Sequence, residues 1–215
     1  MILGSARHVQ LFLTRLYVHA LLSERHGGLN SPSVITIDAG NCSDIYQCIS
    51  FARQYGLDIR NVLQRIIVSR SFTIYQLAHL IINELPNIIQ KFNTKLVVIS
   101  NLLKMFLEDP QLNANEAKVI LREIANSIKK TSFLNNNSIL FLISLPHHHN
   151  NNQSLTYCKT LFPRFDKYIE ITIEKEADYC YSILDINAIS NKSEKQQHHS
   201  KFSLREKDLT IVCNS

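Results

Sequence analysis

The side chains best suited to chemistry in this 215-residue chain are its nine histidines and five cysteines. A zinc ion would use His147-His148-His149, His198-His199 and Cys158, because imidazole and thiolate are its usual ligands. A structural zinc site needs four ligands that converge. These histidines are adjacent and run into Asn150-Asn151-Asn152, so no metal site is expected. Cys42, Cys48, Cys158, Cys180 and Cys213 are odd in number and form no CxxC pair, which reads as buried free thiols in a reducing compartment. Arg7 and His8 would face an anion at a helix N-terminus, but the ordinary reading is a solvated helix end.

The composition bounds what such residues can serve. With 45% hydrophobic and 19% charged residues, the chain is neither disordered nor a coiled coil, and its length suits one domain with a substantial core. Its longest apolar runs, such as Ile139 to Ile143, fall far short of the roughly 20 residues that span a bilayer. The first residues lack a basic region followed by a long apolar stretch, so an intracellular protein is expected. A formal charge of +5 would assist approach to a polyanion without specifying one.

Positioning must come from the pattern of elements. Apolar residues at Leu11, Leu13, Leu16, Val18, Leu21 and Leu22 predict a covered helix from Gln10 to Leu22. Val34 to Asp38 is short, β-branched and bounded by breakers, the signature of a buried parallel strand. A helix capped by Ser43 follows to about Tyr55 and stops at Gly56. The alternation repeats: strand Ile66 to Arg70, helix Ile74 to Ile89 accommodating Pro86, strand Lys95 to Ser100, helix Asn115 to Lys130, strand Ser138 to Ser144. That order predicts an α/β fold, a mostly parallel sheet with helices on both faces. A mobile loop is expected over 147–163, and Tyr168 to Thr172, Tyr179 to Ile186 and Phe202 to Leu204 then read as strands of an antiparallel C-terminal extension. A single domain over 1–215 accommodates all of this.

The resemblance to a known family rests on collinear pieces. Val34-Ile35-Thr36-Ile37-Asp38-Ala39-Gly40-Asn41, Gln54-Tyr55-Gly56-Leu57-Asp58, Val62-Leu63 and Ile67-Val68-Ser69-Arg70-Ser71-Phe72 follow the order and spacing of the RadA recombinases. There a strand ending in Asp-Thr-Glu precedes a helix ending in Gly-Leu-Asp and a strand ending in Ala-Arg-Ala-Phe. Lys95 to Ser100 resembles the Walker B strand, Ile139 to Ser144 the strand before the second DNA-binding loop, and Lys201 to Lys207 the last strand and turn. The chain thus resembles the RecA/RadA superfamily from about Gln10 to Ile211, as a RadA/RadB-like paralog with degenerate Walker motifs.

The resemblance implies a nucleotide site that has lost its chemistry. A P-loop needs glycines to wrap phosphates, a Lys for their oxygens and a Ser or Thr for magnesium. Gly4-Ser5-Ala6-Arg7-His8-Val9-Gln10-Leu11 stands there, with His8 at the Lys position and Val9 at the hydroxyl position. Gly40 replaces the catalytic Glu and Ser100 the Walker B Asp. Phosphoryl transfer needs these parts together, so the expectation is a non-enzyme with no catalytic residues and no cofactor.

What the family relationship leaves is surfaces. It implies partner contacts at Ile35, Ile37, Ser69 and Ser71, where small serines stand in place of the family's alanines, although plain strand packing accounts for these residues too. It implies DNA-facing residues at Tyr157, Lys159, Phe162 and Arg164, with at most weak binding of single-stranded DNA. The expected role is that of an accessory or mediator in homologous recombination and DNA repair. It would pair with a RadA-type recombinase or another paralog, in the cytoplasm or nucleoid of an archaeon or the nucleus of a eukaryote, with no membrane contact. Two alternatives are an ATPase completed in trans by a partner and a regulatory RecA-like subunit of a non-recombination machine.

Overall fold

The structure is a computed structural model that describes residues 2–4, 6–134, 139–146, 152–161, 163, 167–173, 179–185 and 201–204. Its centre is a parallel sheet in which β2 (Val34–Asp38) lies between β3 (Ile66–Arg70) and β4 (Leu96–Ser100), with β5 (Leu140–Pro146) beyond β4. The short β1 (Ile2–Gly4) runs parallel beside β5. All five residues of β2 and all five of β4 are buried, as strands covered on both faces must be.

Alternation along these strands sorts two cores. Ile35, Ile37, Val97 and Ile99 face one core, filled by Leu77, Ile81, Phe106, Leu121 and Ile124. Val34, Leu96 and Val98 face the other, filled by Leu13, Tyr17, Ala52 and Val62. The first core belongs to α4 (Ile74–His79), α5 (Leu85–Phe92), α6 (Lys104–Glu108), α7 (Ala114–Leu134) and α8 (Asn152–Leu161). The second belongs to α1 (Ala6–Ala20), α2 (Ile45–Gln54) and α3 (Ile59–Arg65).

Local chemistry sets the ends. Asp44, one residue later than the expected Ser43, caps α2 by accepting hydrogen bonds from the N–H groups of Tyr46 and Gln47. Gly56 adopts φ 64 just beyond α2, where a left-handed residue ends the chain's helical run. Thr73 caps α4 through the Gln76 N–H. Between α4 and α5 the helix widens into a π turn over Leu80–Glu84, which lets Pro86 sit in the first turn of α5, where its missing N–H costs nothing.

The segment expected as a loop over 147–163 contains α8, with Ser154, Tyr157, Cys158 and Leu161 buried on one face. That spacing of three, one and three residues is helical, and the Asn/His composition around it hides the signal. Residues 147–151 lie outside the described ones. Among the described residues, no helix is long and apolar enough to cross a membrane.

Candidate functional site

In open α/β sheets ligands enter the crevice at the carboxyl ends of adjacent strands whose connections leave on opposite faces. Strands β2 and β4 form such a pair, since α2 and α3 cover one face and α6 and α7 the other. The residues at their ends are Asp38 and Ser100, in register with one another.

Asp38 is 1% exposed. Its Oδ1 accepts from the Cys42 N–H at 3.0 Å and the Ser100 hydroxyl at 3.1 Å. Its Oδ2 accepts from the Ser43 N–H at 2.9 Å and lies 3.5 Å from Arg70 Nε. A carboxylate offers about four lone-pair sites, so these donors occupy it fully. Burial alone would push the Asp38 pKa up; the two backbone N–H groups and the Ser100 hydroxyl outweigh it and hold the group below its ordinary value. The result is an ionised carboxylate that fastens the loop between β2 and α2 rather than one poised to take a proton.

The rest of the crevice is closed in the same manner. Lys104 Nζ donates to the Gly40 carbonyl at 3.0 Å. Asn101, in the left-handed region at φ 52, donates through Nδ2 to Cys42 Sγ at 3.3 Å, and Cys42 in turn donates to Gln10 Oε1 at 3.2 Å. The Asn101 N–H is taken by Ser144 Oγ at 2.8 Å. A Cβ on Gly40 would come within 2.6 Å of Asn101 Nδ2, so the space in which a side chain at position 40 would start is filled. Burial, and then the Asp38 charge, push the Cys42 thiol up, which keeps it protonated at neutral pH.

Of the residues assigned to the degenerate nucleotide site, Gly4 ends β1, Gly40 and Ser100 both lie at this crevice, held by Lys104 and Asp38 respectively, and Val9 on α1 is 3% exposed in the apolar core. Ser5 and the side chains of Arg7 and His8 lie outside the described residues. So do His147 to His149, His198, His199, Phe162 and Arg164. Lys159 is exposed on α8, whereas Tyr157 is fully buried, edge-on to Phe106, with its hydroxyl accepting from Gln153 Nε2 at 2.9 Å. A ring so enclosed has no face for a base to stack on. Among the described residues, no three His, Cys, Asp or Glu side chains are grouped to hold a metal ion.

The partner-surface residues separate by strand. Ile35 and Ile37 are each 1% exposed in the core under α4, so strand packing accounts for them. Ser69 is half-buried and Ser71 is buried, with no hydrogen-bond partner for its hydroxyl among the described residues. The exposed apolar groups sit nearby. Strand β3 ends the sheet, Val68 on it is 45% exposed, and Phe72 and Tyr75 just beyond are 85% and 59% exposed. A recess of about 390 Å³, walled by Tyr17, Cys48, Leu63, Ile66 and Val68 with Arg70 in its lining, opens on the α2 face of the same edge, next to exposed Ile45.

Sequence reasoning gives no role in the crevice to Asn101, Lys104 or Gln10, and reads Cys42 only as a free thiol. The available signal was Asn41 and Asn101, each one to three residues past a strand end, where asparagine tolerates the left-handed turn that closes a crevice. No protein-family model matches this chain, and no curated protein matches it.

Proposed function

We propose that this chain is a catalytically inactive RadA-type recombinase paralog, an accessory or mediator that assists homologous recombination and DNA repair through protein–protein contacts. Its fold, on this reading, is RecA-like. Support comes from the parallel α/β sheet, which is compatible with that fold. The reading takes β6 (Lys167–Ile173), parallel beside β1, with β7 (Tyr179–Asp185) and β8 (Lys201–Leu204), added antiparallel in turn, as the C-terminal extension.

The observation that carries the functional reading is the apolar edge. Val68, Phe72, Tyr75, Ile45 and Tyr46 account for five of the eight large hydrophobic side chains exposed among the described residues. Val68 lies on the end strand β3 and Phe72 and Tyr75 follow it in the chain, while Ile45 lines the recess beside Val68 at the start of α2, next to Tyr46; among the described residues no strand pairs with the outer side of β3. Apolar clusters of this kind mark protein contact surfaces, and an unshielded edge strand is a template for another chain. The partner is a RadA-type recombinase or a second paralog. Affinity purification from native extract with mass spectrometry tests this; recovery of a stable partner set containing neither a recombinase nor a recombinase paralog contradicts it.

ATP chemistry is expected to be absent. Val9 supplies no oxygen for magnesium, Gly40 no carboxylate, and the Ser100 hydroxyl is committed to Asp38. Calorimetry with magnesium and ATP is expected to give no binding heat, and saturable magnesium-dependent heat at micromolar ligand contradicts the reading. Binding of single-stranded DNA is expected to be weak, indifferent to sequence and steeply salt-dependent, because Lys159 offers only a phosphate contact and Tyr157 is enclosed. Fluorescence anisotropy across a salt series measures this, and tight binding that persists in high salt contradicts it.

A further inference from the structure

The geometry points to a crevice that is permanently plugged: Asn101 and Lys104 hold the 39–44 loop over the carboxyl ends of β2 and β4, doing from within the chain what a bound ligand does in open α/β folds. The inference concerns conformation and stands whether or not the partner is a recombinase.

Three sets of contacts carry it. The Lys104 ammonium reaches across from the start of α6 to the Gly40 carbonyl, 64 residues away in sequence, at 3.0 Å. The Asn101 side chain occupies the space beside Gly40 and donates to Cys42. The two amides that follow, Cys42 and Ser43, are taken by the Asp38 carboxylate. The loop is therefore fixed at its carbonyl, its side chain and its N–H groups by residues from β2, α6 and the β4–α6 turn. Asn101 can occupy its place because its left-handed backbone, φ 52, is one that asparagine tolerates. With the Lys104 ammonium on the Gly40 carbonyl and the Asn101 amide on Cys42, both groups that reach across the crevice are engaged with the loop instead of a ligand, and the loop has one arrangement rather than two. A protein so built presents the same surfaces in the presence and absence of nucleotide.

Hydrogen–deuterium exchange resolves the loop amides of Cys42 and Ser43. Asn101→Gly removes the side chain while keeping the left-handed backbone comfortable, and Lys104→Met removes only the ammonium from a half-buried stem. In either variant the two amides are expected to exchange on the order of tenfold faster, because a lost charge-assisted or buried hydrogen bond lowers the cost of local opening, with protection of β4 unchanged. Unchanged loop exchange in both variants overturns the proposal. Should Asn101→Gly lose protection throughout the sheet, the Lys104→Met result decides alone. In the wild type, inorganic phosphate and magnesium–ATP are expected to leave exchange of the loop as it is. Added protection from either probe would overturn the plug. Failure to capture a recombinase would leave every one of these readouts standing.

Discussion

Asp38→Ala is expected to destabilise the protein by about 3–5 kcal/mol, because it strands the N–H groups of Cys42 and Ser43 and the Ser100 hydroxyl around a small void. For a chain of this length that lowers the melting temperature by roughly 6–20 °C. The acid limb of the stability profile carries the same information. The folded-state pKa of Asp38 is depressed, so its contribution is present above the ordinary carboxylate value of about 3.9 and is lost as pH falls through the lower folded value. Below that folded value wild type and Asp38→Asn should converge, and above about pH 5 the gap between them should be constant. Thermal melts from acid to neutral pH measure both. A melting temperature within about 2 °C of wild type for Asp38→Ala would mean that the loop is held by other contacts.

The second large effect is on association. Val68→Arg and Phe72→Glu each place a charge on the apolar edge, and each is expected to weaken binding to the captured partner at least roughly thirtyfold, as loss of a central apolar anchor does. Both positions are exposed, so stability should change by only about 0.5 kcal/mol. Ser71→Arg behaves differently. Ser71 is buried at 6% exposure, so an arginine there brings an unpaired charge into the interior and lowers the melting temperature along with binding. Co-purification and melts of the three variants separate surface from interior. Undiminished association of Val68→Arg and Phe72→Glu would remove this edge from the functional reading.

Strands were legible where β-branched runs met breakers: Val34–Asp38 and Ile66–Arg70 stand at the bounds their residues predict. Helix α3 left no signal because only Val62 on its seven residues is fully buried, too few for a period to emerge. Helix α8 was obscured by its flanks, since the Asn/His run outweighed four well-spaced inward residues. The closed crevice was invisible for a different reason. Asp38 meets Ser100 across 62 residues and Gln10 meets Cys42 across 32, and no local pattern reports such pairings. Gly40 and Ser100 stand at positions that a catalytic motif marks, whereas Asn101 and Lys104, which reach into the crevice from the β4–α6 turn and the start of α6, belong to no motif. The alternation of β2 showed that Ile35 and Ile37 share a face, yet a strand buried on both sides does not reveal which face meets a helix and which a partner.

Leu77, Ile81, Leu85 and Ile89 recur at every fourth residue, and in an α-helix of 3.6 residues per turn each such step overshoots by about 40°. Over three steps the stripe would slip by about 120° and carry Ile89 toward solvent. All four are nevertheless no more than 2% exposed. The π turn at Leu80–Glu84 lies in the middle of that interval, and its looser winding advances the chain by less angle per residue, which brings the stripe back into phase. The wide turn is thus a phase corrector as well as a seat for Pro86. The turn accommodates one residue more than the stripe needs: deleting one of residues 82–84 would permit an unbroken α-helix in which the four side chains still fall within about 60° of one another, so Leu85 and Ile89 would stay on the sheet.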